Sequence, residues 1–126
     1  MSVKFDFEDL VVYQKAIDFA EVVYRATKHM PDEERYGLKS QFQRAATGIA
    51  LNIAEGTGGT KTEFKRFIRM ATRSVRECVA IAEIAFRAEY FDKKQREYLR
   101  EKLAELARML AGLAKSLEAK RKRKPK

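Results

Sequence analysis

The chain has 126 residues, of which 45% are hydrophobic and 36% charged, with one cysteine, one histidine and a formal net charge of +9. This is one domain's worth of sequence, long enough to bury a core without disulfides or metal. Cys78 has no second cysteine to pair with, no apolar run approaches the roughly 20 residues a bilayer span needs, and the start lacks a secretory pattern, so a non-membrane protein of the reducing cytoplasm is expected.

The charge is unevenly placed. Residues 1–37 carry five basic and eight acidic side chains (−3), 38–76 eight and two (+6), 77–119 eight and eight, and 120–126 six and none (+6). With only two prolines and a preponderance of Ala, Leu, Glu, Lys and Arg, the chain reads as all-α. A first helix is predicted from about Leu10 to Lys28, with Leu10, Tyr13, Ile17, Ala20 and Tyr24 on its inward face, ended by His29-Met30-Pro31-Asp32. A second, about Glu34 to Glu55, aligns Leu38, Phe42, Ala45, Ile49 and Ile53, with Gly56 as a left-handed C-terminal cap. Thr60 and Glu63 have the spacing of a capping box opening a third helix that continues to about Glu89, its stripe made by Phe64, Phe67, Ile68, Ala71, Val75, Cys78 and Ala82. Asp92 and Gln95 offer a similar cap to the fourth, whose seam is Tyr98, Leu99, Leu103, Leu106, Leu110, Leu113 and Leu117. The short connections predict an antiparallel up-down-up-down four-helix bundle over residues 1–119, followed by a disordered basic tail, 120–126.

Helix one carries a second apolar group, Val12, Phe19, Val22 and Ala26, and helix three turns apolar nearly all round near Ile81 and Ile84. A helix apolar on every side is buried on every side, so these positions predict self-association. The bland alternative is scattered surface apolars.

Phe7-Glu8-Asp9-Leu10 with Tyr13 and Ala16, Gly37-Leu38 with Gln41, Arg44-Ala45-Ala46 with Ile49, Asn52-Ile53-Ala54-Glu55-Gly56, and Glu63-Phe64-Lys65-Arg66-Phe67 with Ala71, Ser74 and Glu77 together resemble a bacterial four-helix bundle family first met as reading frames in intervening sequences of large-subunit (23S) ribosomal RNA genes. The resemblance covers residues 5 to about 115. It implies an oligomeric bundle, a ring-like pentamer, without known catalytic activity. Similar bundles serve as basic accessory subunits of reverse transcriptases in diversity-generating retroelements, so a reverse transcriptase or ribonucleoprotein is an implied partner. The sequence departs from the family's usual pattern at Gln43, Gly48, Ala50, Gly59 and Arg73.

The sharpest chemical signal is the set Lys65, Arg66, Arg69, Arg73 and Arg76, which falls within roughly a 100° arc opposite the apolar stripe of helix three. Such a ridge fits phosphate contact; a solvated face is the plain alternative. Lys61, beside the Gly56-Thr57-Gly58-Gly59 turn, could help a helix N-terminus hold one phosphate, the alternative being an ordinary turn. Lys120, Arg121, Lys122 and Arg123 would make the tail an electrostatic arm. Asn52 and Glu55 are read as structural, Asn52 fixing helix register and Glu55 pairing with an arginine across an interface. One His, one Cys and no Glu-x-x-His pair leave catalysis and metal binding without their parts, so neither enzyme activity nor a cofactor is expected. The expected function is a non-enzymatic, oligomeric, sequence-tolerant RNA- or DNA-backbone binder; the alternative is a scaffold docking an acidic protein or ribonucleoprotein.

Overall fold

The starts of the last two helices are fixed locally. Thr60 Oγ accepts the Glu63 N–H at 3.1 Å while Glu63 Oε1 accepts the Thr60 N–H at 2.8 Å, and Asp92 and Gln95 repeat the exchange at 2.8 and 2.9 Å. In the computed structural model, which describes residues 3–122 with side chains as far as Glu118, four helices follow: α1 (Val11–Ala26), α2 (Leu38–Thr57), α3 (Lys61–Arg87) and α4 (Lys93–Lys122). Short 3-10 turns lie at Asp6–Asp9, Thr27–His29 and Asp32–Glu34, and no strand occurs among the described residues.

The second helix begins four residues later than the periodicity suggests. Glu34 is not its first turn but its cap: Oε1 accepts the Leu38 N–H at 3.0 Å, and Oε2 accepts the Tyr90 hydroxyl at 2.9 Å, tying the start of α2 to the turn after α3. Both bonds hold the Glu34 carboxyl below its ordinary range, the Leu38 amide contributing most.

Gly56 is not the left-handed cap expected. It lies inside α2, buried, and no described glycine has positive φ. Its lack of a side chain matters for space instead: a Cβ there would stand 2.8 Å from both Phe64 Cδ1 and Phe67 Cβ of α3. Among the described residues the one with left-handed backbone is Glu89 (φ 68°), at the end of α3. There the Tyr90 N–H reaches Ala85 O at 2.9 Å and the Glu89 N–H reaches Phe86 O at 3.0 Å, a Schellman ending built without glycine.

Helix α2 packs on α1 and α3, α3 also on α4, and α4 closes on α1. The core is made by Phe42, Ile49 and Ile53 of α2, Ile68, Val75, Cys78 and Ala82 of α3, and Leu99, Leu103, Leu106 and Leu110 of α4. Tyr98, placed in the α4 seam by periodicity, is half exposed.

Helix α1 turns a different face inward from the one expected. Val12, Ala16, Phe19 and Val23 are buried, whereas Ile17 and Tyr24 are 44% and 48% exposed. The stripes 13-17-20-24 and 12-16-19-23 have identical spacing, so period alone cannot choose between them. The core takes the one with Phe19 and no hydroxyl, and the tyrosines of the other keep their polar ends near water. Val12, Phe19 and Ile81, expected as surplus interface, are therefore core of the single chain at 6%, 1% and 2% exposure, and Val22 is half-buried against them. Ile84 does remain outside, 54% exposed. Of the basic tail, residues 120–122 continue α4 as helix and do not form a separate disordered segment; 123–126, including Arg123, lie outside the described residues.

Candidate nucleic-acid interface

The capping box that starts α3 also decides what its N-terminus can hold. Glu63 places a carboxylate on the Thr60 amide, so the protein's own anion occupies one of the donors a phosphate would use. Lys61 is exposed beside it. The glycine-rich turn is thus an interhelix connection, and the capping box takes two of the amides, those of Thr60 and Glu63, at the terminus beside Lys61.

Beyond this turn the ridge separates into engaged and unengaged members. Lys65 forms an ion pair with Glu118 of α4, its side chain mostly covered. The Arg66 guanidinium stacks over the Phe67 ring, 4.9 Å from its centroid, and stays exposed. Arg69, Arg73 and Arg76 are exposed, and none of them pairs with an acid among the described residues. Among the described residues no carboxylate competes with an outside anion for their planar donor forks.

These arginines do not stand on a lone helix face. A cavity of about 360 Å³ between α3 and α4 has Lys65, Arg69, Thr72 and Arg73 on one wall and Ala107, Leu110, Ala111 and Ala114 on the other. A neighbouring one of about 390 Å³ brings Arg76 together with Arg100, Glu101 and Ala104, and a third, about 640 Å³, joins Lys65 to Arg108, Gly112 and Lys115. The result is a trough with a floor of methyl groups, a cationic rim on α3 and a mixed rim on α4, where Arg100, Arg108 and Lys115 stand with Glu101 and Glu118. The α4 rim, Arg100, Arg108 and Lys115, was missed in the sequence because the equal acid and base count over residues 77–119 conceals it. Its signal was spacing: the three cations share an arc of α4 with Ala104, Ala111 and Gly112.

Asn52 and Glu55 are not brought into this trough. Asn52 is half-buried and donates to Gly48 O in its own helix at 2.8 Å, and among the described residues it has no cross-helix bond that would set register. Glu55 is exposed and unpaired among the described residues. On the α2–α3 side a separate cavity, about 510 Å³, is lined by Tyr36, Ser40, Gln41, Arg44, Ser74 and Glu77, with Gln41 donating to Glu77 at 3.3 Å.

Reactive groups are few. Cys78 is buried, and burial above all pushes its thiol up to about 12, so it stays protonated. Among the described residues no three His, Cys, Asp or Glu side chains gather to hold a metal, and no helix is long and apolar enough to cross a membrane.

Fold and face together define a small helical-bundle protein with a cationic trough and no assembled catalytic constellation among its described residues. Residues 8–112 match the model of the 23S rRNA-intervening sequence protein family, and the chain belongs to that family. A crystal structure of a protein of unknown function from the S23 ribosomal protein family of Bacteroides thetaiotaomicron VPI-5482 is similar in fold, with a TM-score of 0.78 at 24% identity, covering 83% of this chain and 96% of that one. No curated protein matches.

Proposed function

We propose that the protein is a non-enzymatic nucleic-acid-backbone binder that uses the α3–α4 trough. The observation that carries this reading is the row Arg69, Arg73 and Arg76, exposed and without an acidic partner among the described residues, along a trough whose other rim adds Arg100, Arg108 and Lys115 beside Glu101 and Glu118. Phosphate contacts of this kind position a polyanion without specifying sequence. The family's description by ribosomal RNA intervening sequences is consistent with an RNA or DNA partner in the cytoplasm, and the terminal cations from Lys120 onward would add a sequence-independent attraction.

The bundle is read as antiparallel, up-down-up-down. In support, the pairs Gln41–Glu77, Gly48–Ser74 and Gly56–Phe64 step in opposite directions along α2 and α3. It is further read as a homo-oligomer. The support is no longer Val12 or Phe19 but exposed Val11, Ile17, Tyr24, Leu51, Met70 and Ile84. Light scattering during size exclusion tests this: a single-chain mass at micromolar concentration overturns it, and Ile17→Glu or Ile84→Glu should reduce the mass while Phe19→Glu unfolds the chain.

Binding is tested with the Arg69→Glu/Arg73→Glu double variant of the full chain. Affinity for RNA and DNA should fall together, and the slope of log affinity against log salt should drop by about 0.7 to 0.9 for each phosphate left unneutralised. Unchanged affinity and slope would return the ridge to a solvated face and leave the trough for an acidic protein or ribonucleoprotein component.

A further inference from the structure

Resting on the nucleic-acid reading above, we infer that the trough's partner is a duplex, RNA or DNA, and not a single strand. Proteins that hold single strands without sequence preference combine a basic groove with aromatic side chains on which successive bases stack. Here cations and rings are segregated. The exposed rings are Phe5, Tyr24, Tyr36 and Tyr98, and none of these lines the α3–α4 trough. Tyr98, the one on α4, lies roughly 120° around that helix from Ala104, with Lys102 4.9 Å over its ring. On that side of α4, Glu105 pairs with Lys15 of α1. Phe67 is half-buried beneath Arg66, and residues 119–126 contain no aromatic residue.

What the trough offers instead is charge on rigid helices above a methyl floor. Binding through phosphates alone grows with the linear charge density of the polyanion, and a duplex carries one charge per about 1.7 Å of axis, with a counterion-release slope near 0.9 per neutralised phosphate against about 0.7 for a single strand. The row from Arg69 to Arg76 spans seven residues of helix rise, roughly 10 Å. A straight, fixed row of that length suits a stiff, preorganised phosphate ladder. A flexible strand would have to be ordered along it without any stacking to offset the loss of freedom. Because only phosphates are contacted, duplex RNA and duplex DNA are bound alike.

The test is fluorescence anisotropy on the full chain with labelled mixed-sequence strands of about 20 nucleotides, RNA and DNA, single and annealed, from about 50 to 200 mM salt. Both duplexes should bind about tenfold tighter than their component strands, and Arg69→Glu/Arg73→Glu, with helicity confirmed by circular dichroism, should narrow that ratio because parent and variant keep the same terminal cations. Ala111→Trp, which plants a ring on the exposed floor, should raise single-strand affinity and leave duplex affinity in place. Single strands bound as tightly as duplexes would overturn this inference while leaving backbone binding intact, as would a duplex preference untouched by the double variant. Binding of neither form at the lowest salt would overturn both.

Discussion

The turns at the two ends of α3 use small and large residues in opposite ways. Just before the first, in the last turn of α2, Gly56 has ordinary helical backbone but no room for a Cβ; at the second Glu89 has the left-handed backbone usually given to glycine and keeps an exposed side chain. The first turn is limited by packing between helices, the second only by the conformation of one residue. Gly56 is thus placed where neighbouring helices touch, and the conformational strain of about 1–2 kcal/mol at Glu89 is tolerated where the side chain meets solvent.

Substitutions at the two turns should differ in sign as well as size. Gly56→Ala should have the largest effect, destabilising by about 1–3 kcal/mol, since Phe67 Cβ can retreat only with its backbone. Urea midpoints measure this, and an Ala variant as stable as the parent would mean that α2 and α3 are not so closely apposed. Thr60→Ala, which removes the cap without touching Gly56, should cost about 1 kcal/mol. Glu89→Gly should go the other way, raising stability by up to about 1 kcal/mol by relieving the left-handed residue, less what glycine gains in unfolded-state entropy. A loss of stability there would show that the Glu89 side chain matters to the fold.

The smallest effect expected is a pH dependence that distinguishes the two ends electrostatically. Glu34, which braces the α3–α4 turn through Tyr90, and Glu83, held by Arg96 and then Arg87, both titrate below the ordinary value of 4.5. A depressed carboxyl binds its proton more readily in the unfolded chain, so its contribution is complete above that value and is lost as pH falls through the folded-state value. Glu34→Gln should be less stable than the parent at neutral pH and should show a smaller further loss on acidification. An unaltered acid profile in that variant would remove Glu34 from the account.

The same contrast between local and distant causes explains what the sequence made legible. The starts of α3 and α4 and most of their apolar stripes were readable, because a Thr-x-x-Glu or Asp-x-x-Gln cap and a repeat of three or four are properties of adjacent residues. Gly56 was misread because its cause lies in Phe64 and Phe67 across a turn. The inward face of α1 was misread because two equivalent stripes run along it, and the choice is made by what the other helices present. In the trough, Arg69, Arg73 and Arg76 could be found from α3 alone. The capture of Lys65 by a carboxylate 53 positions away, and the opposing rim on α4, exist only once the two helices are packed together.

Cys78, described above as a thiol kept protonated by the core, gives the molecule a built-in clock. It is the chain's only thiol and is fully covered by its neighbours in α3's packing. A thiol reagent can reach it only when the helices around it part, so each modified molecule records one opening event. At low reagent the labelling rate reports the equilibrium population of opened chains, and at saturating reagent it becomes the opening rate itself. The history of motion in this bundle can therefore be read, without adding any label site, from how slowly a single sulfur disappears.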